Sequence, residues 1–259
     1  DDNAIISEGN RDIFIANYSN SGNLHWVKKA GGVGEDRAYS IVSDENNGDI
    51  YFTGMFNGKA NFGDNFIECT SIVGSFVGRM DAAGNFLWAK KGIGGANDYA
   101  RGFGIGLDVE SEIDSKGTDS GKLIYADNVV ESSGGQFDFD TYTLKMNQSG
   151  EVLWLKTGGG YGMDQGRDLF TKSNGLTFTT GFFSGNAAFG DITLESTGKA
   201  DVFIVAYNSA GAIEFAEKSG GNFLDYGYGI CDGESESSSL YFCGNFQEQA
   251  AFGDYSIEG

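Results

Sequence analysis

The chain has 259 residues, 42 of them glycine and none proline, and carries a formal net charge of −20. Its 40 % apolar and 14 % aromatic content excludes a disordered chain, and the acidic balance, offset by no basic cluster, excludes nucleic acid and anionic membrane surfaces as partners. No run approaches the ~18 apolar residues of a membrane span, and no basic stretch leads into an apolar one at the start, as it does in a signal peptide.

Without proline, turns fall to Gly, Asn, Asp and Ser, which suits hairpins better than helices. DDNAIISEG (1–9) shares its phase with GDNFIECTS (63–71) and GDITLESTG (190–198). DIFIANYS (12–19) then alternates as a half-buried strand does. GNLHWVKKAGG (22–32) holds the sole histidine, His25, and three related segments follow: GNFLWAKKGIGG (84–95), GEVLWLKTGGG (150–160) and GAIEFAEKSGG (211–221). The aromatics Trp26, Trp88, Trp154 and Phe215 recur about every 60 residues. Each has a glycine four before it (Gly22, Gly84, Gly150, Gly211), a glycine six after it (Gly32, Gly94, Gly160, Gly221) and an aspartate ten after it (Asp36, Asp98, Asp164, Asp225). Such an ungapped fourfold coincidence marks an internal repeat.

The remaining segments keep that register. SFVGRMD (75–81), DTYTLKMN (140–147) and DVFIVAYN (201–208) match DIFIANYS. DIYFTGMF (49–56), LTFTTGFF (176–183) and LYFCGNF (240–246) form a second strand class, followed by NFGD (61–64), AFGD (188–191) and AFGD (251–254). In the second unit LIYADNV (123–129) stands for that class and QFDFD (136–140) for the F-G-D element; EIDSKGTDSGK (112–122) reads as a surface hairpin loop. Each unit reads as about four short strands. Sheets of this size, repeated, predict an all-β fold: a β-propeller of four-stranded antiparallel blades in one domain over 1–259. The repeats run over 12–64, 75–139, 140–191 and 201–254, with 1–11 and 253–259 as partial elements.

The combined pattern D-x-F-[IV]-x-x-[YM]-x-x-x-G-x-[LFVI]-x-W, then G-G and D, then Y-F-x-G-x-F and F-G-D, resembles the bacterial β-propeller repeats called SBBP repeats over nearly the whole chain. The second unit departs by lacking F-G-D and the fourth by carrying Phe215 for Trp. The resemblance implies a propeller in a secreted or surface-anchored bacterial protein, and it carries no catalytic residues. Because the chain begins and ends in the same element, it is expected to be four consecutive blades of a larger propeller. A four-bladed ring and two chains joined in one ring are the alternatives.

Candidate chemistry is sparse. His25 aligns with Leu87, Leu153 and Glu214, so it reads as an outward position, while Leu24 and Trp26 read as core. No Ser/His/Asp or Cys/His set assembles, and the glycine runs GGVG (31–34) and GGGYG (158–162) lack the setting of a phosphate loop. Cys69, Cys231 and Cys243 form no metal pair and read as semi-buried fillers; Cys231 and Cys243 are able to approach across neighbouring strands. Lys28, Lys29, Lys90 and Lys91 read as solvated strand positions. Asp36, Asp98, Asp164 and Asp225 read first as loop-fixing acceptors of backbone N–H groups and second as oxygen ligands for Ca²⁺. DENNGD (44–49) and DSKGTDS (114–120) read as turns. Three residues beyond the aspartates the units diverge into Tyr39, Arg101, Arg167 and Tyr228, residue types favoured at binding surfaces. The sequence thus predicts a non-enzymatic extracellular or cell-surface scaffold whose partners are a protein or glycan ligand and neighbouring blades or domains. The alternatives are a propeller-type glycosidase or lyase using carboxylates from several blades, and a structural spacer or assembly subunit.

Overall fold

The computed structural model describes residues 4–134, 138–233 and 239–259. Among them there is no helix; the chain is all-β, and every strand pair is antiparallel. The first unit supplies β1 (Ile13–Tyr18), β2 (Leu24–Gly32), β3 (Arg37–Ser43), β4 (Ile50–Phe56) and a short hairpin, β5 (Lys59–Phe62) with β6 (Asn65–Glu68). The second supplies β7 (Gly74–Met80), β8 (Phe86–Ile93), β9 (Tyr99–Leu107), β10 (Ile113–Ser120), β11 (Lys122–Tyr125) and β12 (Asn128–Glu131). The third supplies β13 (Phe139–Met146), β14 (Val152–Gly158), β15 (Gln165–Thr171), β16 (Thr177–Phe183), β17 (Asn186–Phe189) and β18 (Ile192–Glu195). The fourth supplies β19 (Asp201–Tyr207), β20 (Ile213–Ser219), β21 (Tyr226–Asp232), β22 (Leu240–Asn245), β23 (Gln249–Phe252) and β24 (Tyr255–Glu258).

Each unit therefore holds six strands, not four: the segment after the repeated aspartate is itself a strand, and F-G-D forms the turn of a hairpin. The sheets also cut across the sequence units. Three four-stranded arrays form, β3-β4-β7-β8, β9-β10-β13-β14 and β15-β16-β19-β20, each taking strands from two successive units. Half-sheets β1-β2 and β21-β22 stand at either end. Each hairpin extends the preceding array beyond its last strand: β5 pairs with β2, β11 with β8, and isolated bridges join Gly159 to Ala188 and Gly220 to Ala251.

The middle strands β4, β16 and β19 are covered on both faces, so they read as largely apolar runs rather than alternating ones. Phe52, Phe56, Phe62, Phe76 and Met80 form one fully buried cluster, which Ile13 and Ile15 join from β1. Phe183, Phe189, Phe203, Val205 and Tyr207 form another. The repeated aromatic ties one array to the next. Trp88 donates its indole N–H to the Gln148 carbonyl at 3.1 Å, and Trp154 donates to that of Ser209 at 2.9 Å, each in the turn before the following array's last strand. Gly84 and Gly211 occupy that turn with φ of +83° and +76°; a Cβ on either would lie within 3 Å of Trp26 or Trp154. Gly84 and Gly211 thus answer both to the turn and to the indole of the previous unit, whereas a Cβ on Gly150 would meet the Lys90 side chain and one on Gly22 would meet nothing.

Further sequence expectations are overturned. EIDSKGTDSGK is not a surface loop: β10 is a central strand, buried along its whole length. LIYADNV is consequently the β11–β12 hairpin rather than a member of the second strand class, with Leu123 and Tyr125 buried in the core. Part of the polarity of β10 is met by partners alongside, although both oxygens of the buried Asp119 have none among the described residues. Lys145 lies 2.8 Å from Asp108 and 3.2 Å from Asp114, and Lys116 donates to the hydroxyls of Thr141 and Thr143 at 2.9 and 3.2 Å. Leu24 is exposed, as are Cys231 and Cys243, so none is core filler. Cys231 faces Tyr241 and Cys243 faces Gly229 across β21–β22, which leaves the two thiols out of register. DENNGD does form a turn, with Asp44 accepting the Asn46 N–H. Residues 136 and 137 of QFDFD and 1–3 of the opening segment lie outside the described residues.

Candidate functional site

The four repeated aspartates are structural staples. Asp36 accepts the N–H of Gly32 at 2.8 Å and of Asn57 at 3.2 Å. Asp164 accepts from Gly160 and Ser184 at 2.7 and 2.9 Å, and Asp225 from Gly221 and Gln247 at 2.6 and 3.1 Å. Asp98, partly exposed, accepts from Gly95 and Lys122 at 2.5 and 3.0 Å. Each carboxylate pins the glycine loop after one array's last strand to the segment leaving the second strand of the next. Burial pushes Asp36 up to about 6 and Asp164 up to about 7, against the lowering effect of those amides.

A second aspartate, the one that opens DIFIANYS, DTYTLKMN and DVFIVAYN in three units, faces three of the four. Asp12, Asp140 and Asp201 precede or open the third strand, and one oxygen of each takes the N–H of Glu8, Ser133 or Thr197. The other oxygen has no partner and turns toward the glycine beside the first carboxylate: Gly31, Gly159 or Gly220. In the second unit both members change together: Gly74 stands for the aspartate and Ile93 for the glycine, and their side-chain spaces adjoin. Among the described residues no three His, Cys, Asp and Glu side chains are grouped to hold a metal ion.

The divergent positions come together. The first strand of each array carries a β-bulge, and the bulged residues are Tyr39, between Ala38 and Ser40, Arg167, between Gly166 and Asp168, and Tyr228, between Gly227 and Gly229. A bulge leaves one residue out of the ladder and re-aims its side chain. The repeated glycine of Y-F-x-G makes room for it: a Cβ on Gly54, Gly181 or Gly244 would lie about 2 Å from the first strand's carbonyl at Arg37, Gln165 or Tyr226. In the second array the residue skipped by the ladder is Phe103, not Arg101. β9 carries two extra residues between its aspartate and its bulge, so counting from Asp98 picks the wrong side chain.

The four bulged residues line up in array order. The rings of Tyr39 and Phe103 are 5.1 Å apart. The Arg167 guanidinium sits 5.1 Å over Phe103 and 5.8 Å over Tyr228, with Phe182 at 5.5 Å beneath it. Tyr39 and Tyr228 are exposed, Phe103 and Arg167 half-buried. Arg101 flanks the row, stacked 4.9 Å over Tyr99 and donating to its hydroxyl at 3.1 Å. It lines a cavity of about 250 Å³ with Tyr99, Phe103, Phe139 and Gln165.

The charge state of this row is unusual for the chain. Arg11, Arg37 and Arg79 each hold a carboxylate. Arg101 and Arg167 hold none among the described residues, and their Nε atoms are buried without a partner. Burial lowers the affinity of Arg167 for its proton, yet a guanidinium stays charged in proteins. The site is a cation with unused donors, set among aromatic faces.

No family model matches the chain, and no curated protein is similar to it at a significant level.

Proposed function

We propose that the arrays are successive blades of a β-propeller of the SBBP-like kind, and that the chain is a non-enzymatic, extracellular or cell-surface bacterial scaffold. Its bulge row binds a glycan bearing a single acidic group, such as a uronic or sialic-type sugar. The propeller reading is supported by four-stranded antiparallel arrays linked through their hairpins, and by first strands whose bulged residues touch in sequence. The ligand reading is carried by one observation: Arg167 is a half-buried guanidinium with no carboxylate partner among the described residues, in a chain of net charge −20, held between aromatic rings. Tyr and Phe faces pack against sugar C–H surfaces, and the guanidinium fork matches a carboxylate or sulfate. The acidic surroundings repel long polyanions, so the site favours one charge at a time.

A glycan array carrying neutral and singly acidic sugars tests this. Arg167→Ala is expected to weaken acidic-sugar binding about 10- to 100-fold, the worth of a hydrogen bond to a charged group, with the melting temperature little changed. Arg167→Lys, which keeps the charge but not the fork, recovers only part. Equal binding of neutral sugars, or full binding by Arg167→Ala, would refute the reading.

A further inference from the structure

One position differs in kind between the three arrays. Just beyond Gly54, Gly117 and Gly181 on the second strands stand Met55, Thr118 and Phe182, opposite Arg37, Arg101 and Gln165 on the first strands. All three are buried. The exchange of a large apolar side chain for threonine opens a space. Phe182 reaches across to β21, its ring 4.3 Å from that of Tyr226. Thr118 falls short of Gln165, which occupies the corresponding place on β15, and both line the cavity of about 250 Å³ beside Arg101.

The walls of this cavity are chemically uneven. Among the described residues, the Arg101 Nε–H and the Thr118 hydroxyl are buried without a partner. The Gln165 amide brings both a donor and an acceptor. Tyr99 and Phe139, edge to face with centroids 6.0 Å apart, supply apolar surface. Phe103 lines the cavity too, and the Arg167 guanidinium lies 5.1 Å over its ring. Whole small-molecule sites span about 300–1,000 Å³, so this space suits one substituent of a ligand seated mainly elsewhere. That substituent has to bring an acceptor for the stranded donors and an apolar end for the rings. A second carboxylate brings the first without the second. An amide bearing a small alkyl group brings both, and its N–H matches the Gln165 carbonyl.

We propose that the cavity between Thr118 and Gln165 holds the acylamino substituent, N-acetyl in the simplest case, of the acidic sugar whose charged group meets Arg167. This rests on the reading of the bulge row as an acidic-sugar site and narrows it to N-acylated sugars. The acyl oxygen accepts from the Thr118 hydroxyl and the Arg101 Nε–H, the amide N–H donates to Gln165, and the methyl group packs on Tyr99 and Phe139. Phe103 stands between the two subsites, which places the acid and the acyl group within reach of one sugar ring.

Calorimetric titration of the full chain with matched sugars tests this. One pair is N-acetylneuraminic acid and its deaminated counterpart, which carries a hydroxyl in place of the acetamido group; the other is N-acetylglucosaminuronic acid and glucuronic acid. In at least one pair the acetamido member is expected to bind about 10-fold more tightly, the worth of one or two hydrogen bonds. Thr118→Phe installs the residue that the third array carries at this position and fills the cavity, so it should bring the two members of that pair to equal affinity. Thr118→Val, which keeps the shape and loses the hydroxyl, should retain only part of the preference. Equal binding within both pairs by the unsubstituted chain overturns the proposal and leaves the acidic-sugar reading standing, whether or not any variant folds. A preference that survives in folded Thr118→Phe overturns it as well. Binding of none of the four sugars overturns both.

Discussion

Asp36 shows what a repeated residue means here. Its two oxygens each accept a backbone N–H, from Gly32 and from Asn57. Asp36→Ala therefore strands two donors and is expected to cost about 1–3 kcal/mol, readable as a lowered midpoint in urea with an unchanged slope. The sequence pattern pointed to this role through its fourfold recurrence, and the hydrogen bonds agree with it. The partner acids Asp12, Asp140 and Asp201 head their repeat segments, but the second unit replaces that position with Gly74, and nothing along the chain shows that they face Asp36, Asp164 and Asp225. Phe103 escaped for a related reason: a two-residue extension in β9 shifts it away from the count that finds Tyr39, Arg167 and Tyr228. Tyr39, Arg167 and Tyr228 themselves were found, because divergence at a fixed position is visible in one chain that carries four copies of it.

Strands gave themselves away through hydropathy wherever their burial was apolar. DIYFTGMF and LTFTTGFF show this, and their ends in the structure fall within a residue of the sequence pattern. β10 is the counterexample. IDSKGTDS carries the periodicity of a loop; what buries it is its place between β9 and β13, with β13 side chains meeting Asp114 and Lys116, and hydropathy reports neither. Lys116 is the sharpest case: an ammonium in a fully buried site, held by two threonine hydroxyls and 5.1 Å over the Phe203 ring. Burial draws it down to about 7, so above that pH the folded chain holds it neutral, while the unfolded chain keeps its proton up to the ordinary lysine value. Its cost to stability is therefore full below about pH 7 and fades as pH rises. Lys116→Met, of similar length without the charge, is expected to raise the melting temperature by the equivalent of about 1–4 kcal/mol. The gain should be larger at about pH 5.5 than at about pH 8.5; an equal gain at both, or a loss at the lower pH, would contradict this account.

For the whole molecule, the acid pairs and the net charge act together. Asp36 and Asp140 are raised to about 6 and Asp164 to about 7, in each case first by burial. Carboxyls raised in this way bind protons more tightly folded than unfolded. Their stabilising contribution is complete below the ordinary carboxylate range and is lost as pH climbs through 6 to 7. Repulsion among a net −20 surface fades in the same direction. The melting temperature, followed by circular dichroism, is expected to be higher at about pH 5 than at about pH 8, and Asp164→Asn should flatten that slope. A melting temperature that rises with pH across this range would show that the buried carboxyls are not held protonated.

The hairpins that extend each preceding array have a consequence for how the chain is made. The array of β3, β4, β7 and β8 gains its outer hairpin only from residues 122–131. During synthesis, which runs from the N-terminus, four strands of that array emerge from the ribosome with the outer edge of β8 still open. They wait for the whole of β9 and β10 before that edge is covered. Every array is thus finished by the one that follows it, and the growing chain always carries one unfinished edge at its leading end. The molecule is built like a row of shingles, each fixed in place by the next.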